Sequence, residues 1–149
     1  MTHISFLYHI VWRTKCSERT IVEAHERDLY AYIMGICNAK KCHLYRINGM
    51  PDHIHMLVAV HPQIAVSEFM KVLKGETSKW LKENPDFPDF RGWGEGYAGF
   101  TYSIKEKDTV FQYIKNQKVH HHVKSFAEEY REFLIENGLN PDEDLFLKD

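Results

Sequence analysis

Apolar and polar positions alternate cleanly over residues 3–12. Ile4, Phe6, Tyr8, Ile10 and Trp12 share one side, and Ser5, Leu7, His9 and Val11 the other. Successive side chains of a strand point to opposite faces, so this stretch predicts a strand with one apolar and one mixed face. From Ile21 to Ala39 the apolar positions Ile21, Leu29, Ile33 and Ile36 recur at helical spacing. His43 to Ile47 predicts a second strand, and Asn48-Gly49 a turn. His53 to Val60 alternates again, with Ile54, Met56, Val58 and Val60 opposite His53, His55, Leu57 and Ala59. A short connection between these two strands predicts an antiparallel, hairpin-like pair.

Ser67 is a candidate cap for a second helix running to about Asn84, with Phe69, Val72, Leu73 and Trp80 as its apolar stripe. Pro85 to Gly99 holds two of the five prolines and four of the eight glycines, which predicts a loop. Tyr97 to Ile104 predicts a fourth strand. Asp108 is a candidate cap for a third helix through Gln117, and Ser125 for a fourth ending at Gly138. The order is β-α-β-β-α-β followed by two helices. Its first six elements match the split β-α-β, ferredoxin-like or RRM-like arrangement, an α+β fold with helices on one face of an antiparallel sheet. The other face needs a cover, and the third helix is the expected one.

The composition fits this picture. Of 149 residues, 44% are hydrophobic and 27% charged, which excludes a wholly disordered chain. The expected organisation is one domain over residues 1–139 and an acidic tail over 140–149. No apolar run approaches the roughly 20 residues of a membrane span. The start has no basic segment followed by a cleavage site, so a cytoplasmic protein is expected. Cys16, Cys37 and Cys42 are odd in number and lack C-x-x-C spacing, which argues against a disulfide scaffold or a structural zinc site. Residues 128–149 carry eight acids and two bases, a net −6, leaving +4 of the total −2 to residues 1–127. A mildly basic body beside an acidic end permits an anionic ligand on the body.

Two short patterns carry chemistry. His53 and His55, two apart on a strand, share one face, and two neutral imidazoles there can bind one divalent metal. Alone, a His-x-His pair also fits two half-exposed surface histidines. Tyr113 and Gln117 stand four apart and share one helical face, at the margin of the stripe formed by Val110, Phe111 and Ile114. A tyrosine there can present its hydroxyl to a metal-bound substrate, and Gln117 can offer a carbonyl oxygen.

Taken together and in this order, the patterns resemble the single-tyrosine HUH endonucleases. The chain is most similar to transposases of the insertion sequence 200/605 group and their REP-associated tyrosine transposase relatives. The resemblance rests on five segments: His9-Ile10-Val11-Trp12-Arg13-Thr14-Lys15, Met50-Pro51-Asp52-His53-Ile54-His55, Phe69 to Gly75, Trp93 to Tyr97, and Tyr113-Ile114-Lys115-Asn116-Gln117. It implies an enzyme that cleaves and rejoins single-stranded DNA. Tyr113 would form a 5′-phosphotyrosine bond, and His53, His55 and Gln117 would hold Mg²⁺ or Mn²⁺. It also implies DNA hairpin ends as partner and a homodimer, in which Tyr113 can work in trans. Arg13, Lys15, Lys71, Lys74 and Lys79 are candidate phosphate contacts. His120 and His121, one turn beyond Gln117, are auxiliary candidates for metal or phosphate.

Other readings stay open on the residues. A domesticated or inactive hairpin-DNA or RNA-binding domain has the same fold, though the glycine-rich aromatic strand motif of RNA-recognition modules is absent. A metal-dependent hydrolase without covalent catalysis needs a further carboxylate near the histidines. Asp52 adjoins them but would point to the other side of a regular strand.

Overall fold

The computed structural model describes residues 3–120, 124–143 and 146, with His120 and Glu143 in backbone only. Four strands form one antiparallel sheet: β1 (Leu7–Arg13), β2 (His43–Met50), β3 (His53–Ala59) and β4 (Ala98–Tyr102). Their spatial order is β2-β3-β1-β4, so β1 lies between β3 and β4. Both helical crossings of the ferredoxin-like arrangement are present, with α1 (Glu26–Ala39) after β1 and α2 (Val66–Lys82) after β3. α3 (Lys107–Lys115), α4 (Gln117–His120) and α5 (Phe126–Glu136) follow β4.

β2 does not turn at Asn48-Gly49. It continues to Met50, and the chain reverses at Pro51-Asp52. Proline has no N–H to give to a sheet ladder, so the strand stops there. Gly49 instead serves a close approach. It pairs with Ile54, and a Cβ at this position would lie 2.3 Å from the His53 carbonyl oxygen.

The helix starts also shift. A 3₁₀ turn at Glu23–His25 precedes α1, and Ala65 rather than Ser67 stands at the N-cap of α2. Ser103 and Glu106 form a capping box over a 3₁₀ turn that leads into α3, so Asp108 falls within the first turn. α3 stops at Asn116 rather than running through Gln117. Ser125 does cap α5, accepting a hydrogen bond from the Glu128 backbone N–H.

The sheet has two unlike faces. On one, Ile10, Trp12, Ile54, Met56 and Val58 pack against Leu29, Ile33 and Ile36 of α1 and Phe69, Met70 and Leu73 of α2. On the other, two smaller apolar patches form. Val110 and Ile114 of α3 pack on Leu7 and Leu57, and Phe126, Tyr130 and Leu134 of α5 pack on Val11, Ala98 and Phe100. α3 has nine residues, about 13 Å of helix, and covers only part of this face. α5 covers the rest, a role the sequence pattern left to α3. Between the two patches lie the buried polar side chains of His9, His53, His55, Gln117 and Glu129.

Candidate active site

Strand alternation builds the floor of the site. Ile54 points into the larger core, which turns His53 and His55 together to the opposite face. Both imidazoles are fully buried. Each is held through Nδ1. His55 Nδ1 lies 2.8 Å from His9 Nε2, and the two rings stack with centroids 5.0 Å apart. His53 Nδ1 lies 2.6 Å from Asp52 Oδ1. Asp52 therefore does not point away from the pair. It sits in the turn before β3, outside strand alternation, and its carboxylate reaches back to the ring. With both Nδ1 atoms engaged, both Nε2 atoms face the same space. Outer partners of this kind fix the orientation of a metal-ligating histidine.

Burial pushes the His53 pKa down to about 4, against the opposing pull of Asp52. Burial also lowers His9 well below the ordinary histidine range, helped by neighbouring His55. His53 and His9 are thus neutral at pH 7, and neutral imidazole is the ligating form.

α3 and α4 supply the next two groups. The kink at Asn116 separates Tyr113 from Gln117, yet both reach the histidines. Gln117 Oε1 is 3.4 Å from His53 Nε2, and the Tyr113 ring centroid is 6.0 Å from that of His55. This is the chain's own histidine pair. Packing of Val110 and Ile114 on β1 and β3 carries Tyr113 there. Two clips hold the kink. Asn48 Nδ2 donates to the Lys115 carbonyl at 3.1 Å, and Lys118 Nζ donates to Glu26 at 2.9 Å and to the Gly49 carbonyl.

Glu129 of α5 completes the cluster, and the sequence reading missed it. Its Oε1 lies 2.8 Å from His55 Nε2 and 3.8 Å from His53 Nε2. Its Oε2 accepts from the Tyr113 hydroxyl and from Gln117 Nε2 at 3.2 Å. The signal lay in the helix pattern. Glu129 falls on the stripe of Phe126, Tyr130, Phe133 and Leu134, an acid within an apolar face that is bound to be buried. Burial, then the Glu129 charge and hydrogen bond, raise the Tyr113 pKa, so the phenol keeps its proton in this state. Phe126 stacks on His53 with centroids 4.0 Å apart, and Phe133 meets Tyr113 edge-on at 5.2 Å. A cleft of about 370 Å³ reaches Tyr113 between Tyr102, Val110, Phe133 and Glu136.

The donors suit a divalent cation. His53, His55 and Glu129 offer ligand atoms that all lie within 4.8 Å of one another. Imidazole nitrogen with carboxylate and amide oxygen is a set accepted by Mn²⁺, and its oxygens by Mg²⁺.

The basic candidates are scattered. Lys15, Lys71 and Lys79 are exposed, and Lys15 borders a surface hollow with Lys82, Arg91 and Trp93. Lys74 is half-buried and donates to the carbonyls of Gly94 and Gly96 at 2.8 and 2.7 Å. Arg13 is buried beside the histidine face. Its guanidinium donates to the Phe146 carbonyl at 2.9 and 3.1 Å and to Ser17 Oγ at 3.1 Å. The His120 side chain and all of His121 lie outside the described residues. Among the described residues no helix is long and apolar enough to cross a membrane.

The chain is similar to known proteins in sequence and in fold. Residues 2–117 match the family model described as Transposase IS200 like. The transposase for insertion sequence element IS200 from Salmonella typhimurium is 31% identical over 117 residues, covering 74% of this chain and 75% of its own. The ISDra2 transposase TnpA of Deinococcus radiodurans is 25% identical over 117 residues, 74% of this chain and 82% of its own. A crystal structure from Deinococcus radiodurans R1, assigned as a transposase, superposes with a TM-score of 0.58 at 26% identity, over 78% of this chain and 95% of that one. A REP-associated tyrosine transposase solved with a REP hairpin shares the fold, with a TM-score of 0.61 at 11% identity over 81% of this chain and 74% of that one. With the family model spanning most of its length and a fold to match, the chain belongs to the IS200-like transposase family.

Proposed function

We propose that the chain cleaves and rejoins single-stranded DNA with Tyr113 as nucleophile and with a divalent metal held by His53, His55 and Gln117. The observation that carries this reading is the meeting of Tyr113 and Gln117 with the buried histidine pair in a single chain. The Tyr113 oxygen attacks the scissile phosphorus and loses its proton. The bond from phosphorus to the 3′-oxygen breaks, and that oxygen leaves as a hydroxyl. The product is a 5′-phosphotyrosine that conserves the phosphodiester bond energy, so reversal rejoins strands without ATP. A bound Mg²⁺ or Mn²⁺ supplies charge stabilisation at the phosphate and leaving oxygen. His9 and Asp52 orient the two imidazoles, and Phe126 and Phe133 exclude water around them. The same reading carries a homodimer, in which Tyr113 can also act in trans on the histidine pair of a second copy. A strand bearing a hairpin is the substrate to test first, because a fold relative was solved with one.

The test is a covalent-adduct assay with labelled hairpin oligonucleotides from the gene's own flanks, with Mg²⁺ or Mn²⁺, on a denaturing gel. A metal-dependent adduct that disappears in Tyr113→Phe is the expected result. Cleavage by Tyr113→Phe would sink the nucleophile assignment. Hairpin binding without an adduct would favour a domesticated or inactive binding domain.

A further inference from the structure

We propose that Glu129 is a ligand of the divalent metal in the DNA-free protein, holding there the place that the scissile phosphate takes during the reaction. This deepens the reading above and rests on it. A carboxylate and a phosphodiester each present two oxygens that share a single negative charge. In the proposed reaction one phosphate oxygen must face the metal ligands while the phosphorus faces Tyr113. Glu129 meets both demands at once. Oε1 lies 2.8 Å from His55 Nε2 and 3.8 Å from His53 Nε2, and Oε2 accepts from the Tyr113 hydroxyl. Neighbouring ligands of one octahedral ion, at bonds of about 2.1 Å, stand about 3 Å apart. Oε1 stands at about that spacing from His55 Nε2, at 2.8 Å, and lies farther from His53 Nε2, at 3.8 Å, within the span of ligands on one ion. Gln117 is oriented by the same carboxylate: its Nε2 donates to Oε2, which leaves Oε1 toward His53.

The surroundings favour a stand-in over a permanent member of the reacting site. Glu129 is 3% exposed, both histidines are buried, and Phe126 of the same helix stacks on His53 and meets His55 edge-on at 6.5 Å. A DNA backbone reaches this position only by displacing the α5 carboxylate. Glu132 and Glu136 continue negative charge along α5 beside Tyr113, where a strand would otherwise pass. Such a surface repels a polyanion, so α5 holds the place of the anion and does not bind it.

The two halves of the proposal predict opposite effects of one substitution. Mn²⁺ would be titrated by calorimetry into the DNA-free wild type, Glu129→Gln and Glu129→Ala, with thermal melts to verify folding. Glu129→Gln keeps the shape and hydrogen-bonding capacity, so it guards against a merely unfolded Ala variant. Mn²⁺ affinity should fall at least about tenfold in both, since loss of an outer-sphere partner alone costs about 10–100-fold. At saturating Mn²⁺ the same variants should cleave a hairpin oligonucleotide several-fold faster than wild type. Unchanged Mn²⁺ affinity would overturn the ligand assignment. Cleavage that is unchanged or slower would overturn the stand-in for phosphate. Failure of the wild type to form a Tyr113 adduct would instead fall on the transposition chemistry, and the DNA-free titration would still judge the ligand.

Discussion

The two faces of the sheet are built from the same strands and differ in what lies between their helices. Under α1 and α2 the apolar side chains of β1 and β3 form one continuous core. Under α3 and α5 the apolar contact is split into two patches, with two carboxylate-linked histidines, a third histidine, a glutamine and a glutamate buried between them. Burying such groups is costly unless each finds a partner. Nearly all in this cluster do, His9 Nδ1 being its exception; among the described residues Trp12 Nε1, in the α1–α2 core, and Arg46 Nε also lack a hydrogen-bond partner. The first face secures the fold. The second gives up packing to hold chemistry, and it depends on the first to keep β1 and β3 in register.

The comparison breaks most sharply at Tyr113. Tyr113→Phe should lower adduct formation by at least roughly 10⁴-fold, as loss of a nucleophile does. Its melting temperature should move only about a few degrees. Gel assay and calorimetry on one preparation check both. Phe69→Ala, on the opposite face, should do the reverse. It removes about 3–5 kcal/mol of stability and leaves cleavage per folded molecule unchanged. A denaturant melt with active-site titration reads this out. Chelation by EDTA should abolish cleavage while the far-ultraviolet circular dichroism of the whole chain stays as it was.

A smaller effect concerns pH in the metal-free protein. Folded His53 titrates near 4 and His9 is also depressed, whereas the unfolded chain takes up protons near 6.5. The unfolded state therefore binds more protons between these values. Stability should be full above pH 6.5 and decline as pH falls toward 4. Melts across that range check it. Smallest is the response of the thiols. Cys16 is exposed, Cys37 and Cys42 are buried, and burial pushes the Cys37 thiol up to about 12. A thiol reagent should modify Cys16 at once and the other two only in denaturant.

Much of the second face was legible before the fold was known. Alternation in His53–Val60 put His53 and His55 on one side, and helical spacing put Tyr113 beside Gln117. Local rules failed where long-range contacts override them. Asn48-Gly49 has the composition of a turn, but the close approach of the His53 backbone needs a glycine within the strand. Asp52 obeyed the turn and not the strand beside it. Arg13 has the side chain of a surface phosphate contact, yet β1 alternation places it on the buried histidine face, under the Phe146 carbonyl. Glu129 stands 74 residues from the histidine it touches, and no local spacing connects them.

Once the family resemblance had joined the histidines, Tyr113 and Gln117 into one set, what the sequence determined by itself were the periodicities: which residues share a strand face, which share a helix face, and hence the order of the main elements. These follow from backbone geometry within a few residues. The tertiary structure decided which helix covers which face, that Tyr113 meets its own chain's histidines, and that an acid from α5 lies among them. Those outcomes depend on packing between distant segments, where burial and the pairing of buried polar groups outweigh local preference.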